Sequence, residues 1–364
     1  VEKEVDEPYR IFYHRTEIQR REVSVARVGI TGAGNFIIDR VKTVDLWPEE
    51  GMLSLILEEK MAGGGCAYNV LKDLAILKTG LPLQAVGLTS NDADGSYIFR
   101  DLEEHGIDSS MMHVIDGVIT SYTDVITVRK TGNRTFFHNK GTNKYLDIEH
   151  FDFTRITTKI LHIGYILLLD TLDGPDPEYG TRMARLLRMA KDSGLKTSVD
   201  VVSESSYRFN KIVLPALRYT DYLIINEIEA GRTTGYEIRE RSGKLNVSHL
   251  KEALRMLLAK GESELVCIHF PEGAYAALKG EAPVFAPSCD LPEGYIVGTA
   301  GAGDAFCAGM LYGIYEEWEL EKCMGFANAM AGICLAGLST SDSMKSLDET
   351  LRFVEEMPLR KMTI

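Results

Sequence analysis

Short apolar runs alternate with longer amphipathic stretches along most of this chain of 364 residues. Residues 160–163, 197–201, 222–225 and 265–268 are compact apolar runs that read as buried strands, and helical spacing fills the intervals near 178–193, 208–218 and 248–259. Strands alternating with helices of those lengths predict an α/β fold whose mostly parallel central sheet is covered on both faces. The front of the chain keeps the same rhythm. Residues 27–31 and 83–88 read as core strands, a helix runs to about Leu77, and a second occupies 95–105, entered through Asp92, Asp94 and Gly95. Two stretches break the pattern. Residues 40–60 alternate weakly around Trp47-Pro48-Glu49-Glu50-Gly51, and 118–139 alternate like a hairpin about Thr131-Gly132-Asn133, which predicts a small β element outside the main sheet. Residues 273–285 predict an antiparallel hairpin finishing the sheet, and a late apolar helix spans about 320–336. Residues 1–24 are polar and read as an N-terminal extension to a single folding unit over 25–364.

Composition narrows the classes. A formal net charge of -13 with no basic block argues against a nucleic-acid partner. No run approaches the length that spans a bilayer, and the first 25 residues are too charged for a signal peptide, so no membrane partner is expected. Six scattered cysteines without a CxxC pair suit a reducing compartment, and the expectation is a cytoplasmic protein.

The chemistry concentrates in Val297-Gly298-Thr299-Ala300-Gly301-Ala302-Gly303-Asp304-Ala305-Phe306, a run of small residues with one carboxylate that leads into an apolar helical segment. Gly301-Ala302-Gly303 leaves backbone N–H groups free to approach a ligand, and a helix beginning near Asp304 would add its first-turn donors and positive dipole end. A carboxylate there would repel a resting phosphate. It makes sense facing a neutral hydroxyl that loses a proton as charge builds on a neighbouring phosphoryl group. A capping aspartate at a plain helix start accounts for the same residues. Upstream, Gly32-Ala33-Gly34-Asn35 follows the first strand, but a dinucleotide fingerprint fails because its third glycine would be Ile37. Asn35 and Asp39 offer paired donors and acceptors suited to sugar hydroxyls, or serve as a turn asparagine and a solvated acid. Gly63-Gly64-Gly65 precedes a helix that carries Asn69 one turn in. His138 is a half-buried strand residue or a ligand-facing one. Asn226 and Glu229 fit either a helix entry or a hydrated magnesium ion held through one or two carboxylates.

Together these segments resemble the ribokinase-like, PfkB-type family of carbohydrate kinases. Gly64-Gly65-Cys66-Ala67-Tyr68-Asn69 is similar to its Gly-Gly-x-x-x-Asn, Asn226-Glu227-Ile228-Glu229 to its Asn-x-x-Glu, and Thr299-Ala300-Gly301-Ala302-Gly303-Asp304 to its Thr-x-Gly-Ala-Gly-Asp. Gly34-Asn35 with Asp39 resembles the first sugar-binding turn, and Gly141-Thr142-Asn143 the Gly-Ala-Asn element, in order over roughly 27–340. The resemblance implies a ribokinase-like three-layer domain with a small β lid built from about 40–60 and 118–140. It implies transfer of the ATP γ-phosphoryl group to a hydroxyl of a small sugar or sugar acid, with ATP and Mg²⁺ required. Asp304 would then be the base and Gly301, Ala302, Gly303 the anion hole. Asn35, Asp39, Gly64, Gly65, Asn69, His138 and Asn143 would meet the sugar. Asn226, Thr299, Gly301, Gly303 and Asn328 would meet the nucleotide, and Glu229 with Asn226 the metal, through water. Pairing of two lids into a homodimer also belongs to the likeness.

Two departures matter. The family's Asp before that threonine is Gly298 here, which removes a charge from the monovalent-cation region, so little potassium dependence is expected. The adenine-side Thr-Leu-Gly-x-x-Gly is replaced by His269-Phe270-Pro271-Glu272-Gly273. A catalytically weak sugar- or nucleoside-binding relative serving as a sensor is the alternative, separated from a kinase by measured phosphoryl transfer.

Overall fold

The computed structural model describes residues 27–203, 208–362 and 364, so the extension expected at 1–24 lies outside the described residues. The main sheet is built from β1 (Ile30–Gly34), β4 (Leu83–Thr89), β5 (Asp108–Val114), β8 (Ile160–Ile166), β11 (Lys196–Val201), β12 (Tyr222–Asn226), β13 (Leu265–Phe270), β14 (Gly273–Leu278) and β15 (Val284–Pro287). Its nine strands run in the order β15-β14-β13-β12-β11-β8-β1-β4-β5, with only β14 and β15 antiparallel to their neighbours. A second sheet, ordered β3-β2-β6-β7, contains β2 (Ile37–Val44), β3 (Ile56–Gly64), β6 (Tyr122–Val128) and β7 (Arg134–Asn139). Here β2 and β6 are parallel and the outer pairs antiparallel. A two-stranded ribbon of β9 (Pro175–Asp176) and β10 (Gly180–Thr181) completes the strands among the described residues.

Helices cover both faces of the large sheet: α1 (Cys66–Ile76), α2 (Ala93–Glu104), α3 (Arg182–Asp192), α4 (Phe209–Leu217), α5 (Glu227–Thr234), α6 (Val247–Lys260), α7 (Ala302–Tyr315), α8 (Leu320–Cys334) and α9 (Leu347–Glu356). The two-residue period of a strand sorts the core between them. Tyr222, Ile224, Leu265 and Cys267 point into a cluster with Phe306, Phe326 and the other apolar side chains of α1, α7 and α8. Leu223, Ile225, Val266 and Ile268 point the other way, onto Leu187, Val213 and Leu254 of α3, α4 and α6. Side chains buried on both faces explain why these strands read as unbroken apolar runs.

Several boundaries differ from the sequence reading, each for a local reason. The helix expected over 178–193 starts at Arg182, because the preceding residues form β9 and β10 and Thr181 Oγ1 accepts the Ala184 N–H at 3.1 Å as an N-cap. The first strand begins at Ile30, and the small sheet reaches inward to Ile37 and Gly64, beyond the stretches of 40–60 and 118–140. Asp39 therefore sits inside a strand, opposite Ala62 on one side and Thr123 on the other. Asp92 is the N-cap of α2, accepting the Gly95 N–H at 2.7 Å. No helix among the described residues is long and apolar enough to cross a membrane.

Candidate active site

The C-terminal ends of the parallel strands open onto a cleft of about 530 Å³ that the small sheet overhangs. At its floor α7 begins at Ala302, two residues earlier than expected, with Gly301 as N-cap in a left-handed conformation (φ 82°). A Cβ at Gly301 would stand 2.7 Å from the Thr340 side chain, so both the backbone angle and the packing require glycine. Asp304 is the third residue of the helix and does not cap it, since no side chain caps α7. The carboxylate instead accepts hydrogen bonds from Asn69 Nδ2 (2.7 Å, on Oδ2) and the Tyr165 hydroxyl (2.9 Å, on Oδ1). Asn69 is held in turn by Thr340 Oγ1, which donates to its Oδ1 at 2.9 Å. The first-turn N–H groups of α7, beside the carboxylate, receive no side-chain cap.

The sugar-side candidates assemble above Asp304. Asn35 Oδ1 accepts the Tyr165 backbone N–H at 2.6 Å, leaving its buried Nδ2 without a partner. His138 Nδ1 lies 2.9 Å from Thr123 Oγ1, and its buried Nε2 has no partner either. Thr123 also donates to Asp39. With Asp39 ionised, the threonine hydroxyl must accept from Nδ1–H, which leaves Nε2 as an acceptor in the cleft. Gly65 lines the cleft as the N-cap of α1. Gly64 instead backs Asp39: a Cβ there would meet Asp39 Oδ2 at 2.3 Å. Asn143 is buried and braces the turn below, donating Nδ2 to the Phe36 carbonyl at 3.2 Å, with Oδ1 unpartnered.

On the opposite wall Asn226 caps α5 and Glu229 closes a capping box with it, accepting the Asn226 N–H at 2.9 Å. Ser203 Oγ donates to Glu229 Oε1 at 2.7 Å. Both the helix-entry role and a place on the cleft wall are therefore realised by the same two residues. Asp200 lies beside them, accepting from the Cys66 thiol at 3.3 Å. Asp200, Glu229, Asp304 and Asp39 share one cleft. Burial raises all four carboxyls, Asp39 and Glu229 each to about 7, and Asp304 adds repulsion at Asp39 and Asp200. Asn69 and Tyr165 partly offset the effect at Asp304 by donating to its charged form.

A second cavity of about 310 Å³ adjoins the first and holds Ala302 and Asn328. Asn328 Nδ2 donates to the carbonyls of Ala286 and Pro287 at 3.2 Å each, turning its oxygen free of those bonds. His269, Thr299 and Gly303 border both spaces. Tyr165, Ser203 and Thr340 were not singled out from the sequence; each is one polar residue outside any motif, brought in by the ends of β8 and β11 and by the segment after α8.

A search of family models matches residues 30–347 to the pfkB family carbohydrate kinases. The chain belongs to the PfkB family of carbohydrate kinases. An ATP-dependent ribose-1-phosphate kinase of Halopiger xanaduensis is 26% identical over 332 residues, covering 90% of this chain and 99% of that protein. A 5-dehydro-2-deoxygluconokinase of Geobacillus kaustophilus is 39% identical over 304 residues, covering 80% and 84%. Among solved structures, Arabidopsis thaliana ribokinase complexed with ribose and ATP superposes with a TM-score of 0.74 at 20% identity, covering 90% of this chain and 99% of that one. The ribokinase-like fold is thus shared, and this PfkB protein is a carbohydrate kinase, a phosphotransferase with an alcohol acceptor.

Proposed function

We propose that this kinase moves the ATP γ-phosphoryl group to a hydroxyl of a small sugar or sugar acid bound between Asn35, Asp39, Asn69 and His138. The observation that carries the reading is the meeting of the two cavities at His269, Thr299 and Gly303, with Asp304, the residue after Gly303, lining the first. Asn35 Nδ2 and His138 Nε2 are buried groups that need a partner, and sugar hydroxyls supply both a donor and acceptors. Asp304 takes the hydroxyl proton as the phosphoryl group arrives, and the first-turn amides of α7 receive the accumulating charge. The adjoining cavity takes the nucleotide base beside Asn328. The test is a panel of sugars, sugar acids and nucleosides with ATP and Mg²⁺, scored by ADP release. Binding without release for every member would favour the sensor alternative instead.

Magnesium fits the wall of Asp200, Asn226, Glu229 and Ser203. Burial, and then repulsion from Glu229, raises Asp200, which a hard dication would relieve through oxygen ligands and retained waters. Bound there, the ion would neutralise phosphate charge. Glu229→Gln is expected to raise the Mg²⁺ concentration for half-maximal rate by about tenfold or more. Sugar affinity measured by calorimetry without nucleotide should stay near that of the parent; its collapse would place Glu229 with the sugar.

With glycine at 298, potassium is expected to matter little. Initial rates in potassium and in a bulky organic cation, at equal ionic strength, should differ by less than about tenfold, and a larger stimulation would refute the inference. The small sheet is proposed to close as a lid over the sugar, which would protect the phosphoryl group from water. Amide exchange in β2, β3, β6 and β7 should slow when a good substrate binds, and identical protection would sink the idea. Trp47 stacks on Phe137, and Leu57 and Met61 are exposed on the same face of this sheet, away from Phe136 and the cleft. That apolar face supports pairing of two copies through it, readable as a two-chain mass in solution.

A further inference from the structure

The charge balance of the cleft is one-sided. Four carboxylates line it, and among the described residues no lysine or arginine does. Its two histidines are held neutral by burial, His269 down to about 4. One guanidinium stands just outside the cleft, lining a small neighbouring cavity of about 110 Å³. Arg134 opens β7 and shares a face with Phe136 and His138, two and four residues on, both of which line the cleft. Its side chain is half-buried and has no hydrogen-bond or ion-pair partner among the described residues. Of the acids nearby, Asp39 acts on it only through space, without a hydrogen bond or ion pair, while Glu58 pairs with Arg129 and Asp342 accepts the Ser339 N–H.

Gly298 makes room for this arrangement. A Cβ there would lie 2.7 Å from Arg134 Nη2 and 2.6 Å from the Gly337 carbonyl oxygen, so any larger residue would displace the guanidinium or the chain. A half-desolvated, unpaired cation is costly, and its cost is recovered when an anion supplies the missing hydrogen bonds. The transferred phosphoryl group already meets the amides of α7 and the acidic metal wall. The sugar itself, crowded by carboxylates, finds a counter-charge for a negative substituent only beyond the cleft, where half-buried Arg134 and exposed Lys60 line a neighbouring cavity.

Resting on the kinase reading above, we infer that the acceptor is a sugar bearing its own negative group, phosphate or carboxylate, and that Arg134 docks that group beside the cleft. The names of two relatives agree, one for a sugar phosphate and one for a keto sugar acid. The inference also assigns Gly298 a role, as the gap that lets the guanidinium approach.

The test compares kcat/KM for matched pairs at saturating ATP and Mg²⁺: ribose 1-phosphate against ribose, and 5-dehydro-2-deoxygluconate against glucose. The anionic member of one pair should be preferred by at least about tenfold, and the pair that shows it identifies phosphate or carboxylate. Arg134→Gln should shrink that ratio by about ten- to a hundredfold through KM, as expected for losing a hydrogen bond to a charged group. Arg134→Lys should restore part of it, since a point charge replaces a fork. A measurement without variants guards against misfolding: KM of the wild-type enzyme for the anionic sugar should climb with ionic strength while that for its neutral partner stays level. Equal losses for both members in Arg134→Gln would overturn the inference and assign the guanidinium to the transferred phosphoryl group. Transfer to neutral sugars with an unaltered ratio would overturn it alone, whereas no transfer to any sugar would bring down the kinase reading and this inference together.

Discussion

Asp304→Asn should still bind sugar and lose ~10²–10⁴-fold in kcat. Asn69 and Tyr165 both donate to the carboxylate, which fixes its orientation and favours its ionised form against the burial that pushes its pKa upward. A buried base with a raised pKa is a stronger proton acceptor than a solvated aspartate, and the two donors hold back the rise that burial causes. Asparagine keeps the shape and one acceptor but places an amide where a donor already points, and it cannot take a proton. The amides of α7 remain, so residual transfer is expected from them alone. Single-turnover phosphoryl transfer, with sugar affinity measured in parallel, checks this. More than about a tenth of the parent kcat would remove Asp304 from the role.

Asp39→Asn is expected to weaken sugar binding by roughly 100-fold while making the free protein more stable in alkaline buffer. The loss follows from replacing charged acceptors of sugar hydroxyls, each such bond contributing about 1.5–3 kcal/mol. The gain follows from the sign of the titration. Asp39 titrates at about 7 in the folded protein against an ordinary 3.8, chiefly through burial and then through Asp304. The folded state therefore binds more protons between those values, and stability falls as pH rises from about 4 to 7 before levelling off. The contribution lost by pH 8 is at most about 4 kcal/mol, because partial relaxation and water entry reduce it. Asparagine removes this dependence. The variant's Tm should exceed the parent's by a few degrees at pH 8 and match it near pH 4; equal Tm at both ends would show that Asp39 is not strained by its surroundings.

What the sequence disclosed follows from where side chains are buried. Strands such as β4 and β13 are covered on both faces, so their apolar runs were plain, and the Gly-rich entry to α7 was legible because glycine there is demanded by backbone and packing. The edge strand β5 escaped notice: its only fully buried residues are Met111 and Met112, too few to show a period. The helix α9 was passed over although Leu347, Thr350, Leu351 and Val354 repeat at helical spacing behind a capping box of Ser346 and Glu349; only Thr350 is buried along it. The surroundings of Asp304 were hidden differently. Asn69 and Tyr165 lie 235 and 139 residues from it in sequence, and only the strand order brings them together. Reading Asp304 as a possible cap failed because a left-handed Gly301 starts the helix one turn sooner.

The path from β1 into β2 carries a kinetic consequence. Only Asn35 and Phe36 separate β1, which lies between β8 and β4 inside the large sheet, from the first strand of the small one. Phe36 is fully buried, and Asn35 ties its side chain to the Tyr165 backbone, so the joint is short and anchored. A swing of the small sheet at this joint would move Asn35, one of the residues proposed to grip the acceptor. On the proposed reading, ligand and hinge are then one mechanical unit, and an ill-fitting sugar is penalised in the rate of shutting more than in its resting affinity. Compulsory order follows: the acceptor enters an open enzyme before the nucleotide completes it, and product-inhibition patterns should show sugar as the leading substrate, with random entry counting against a pivot at Asn35.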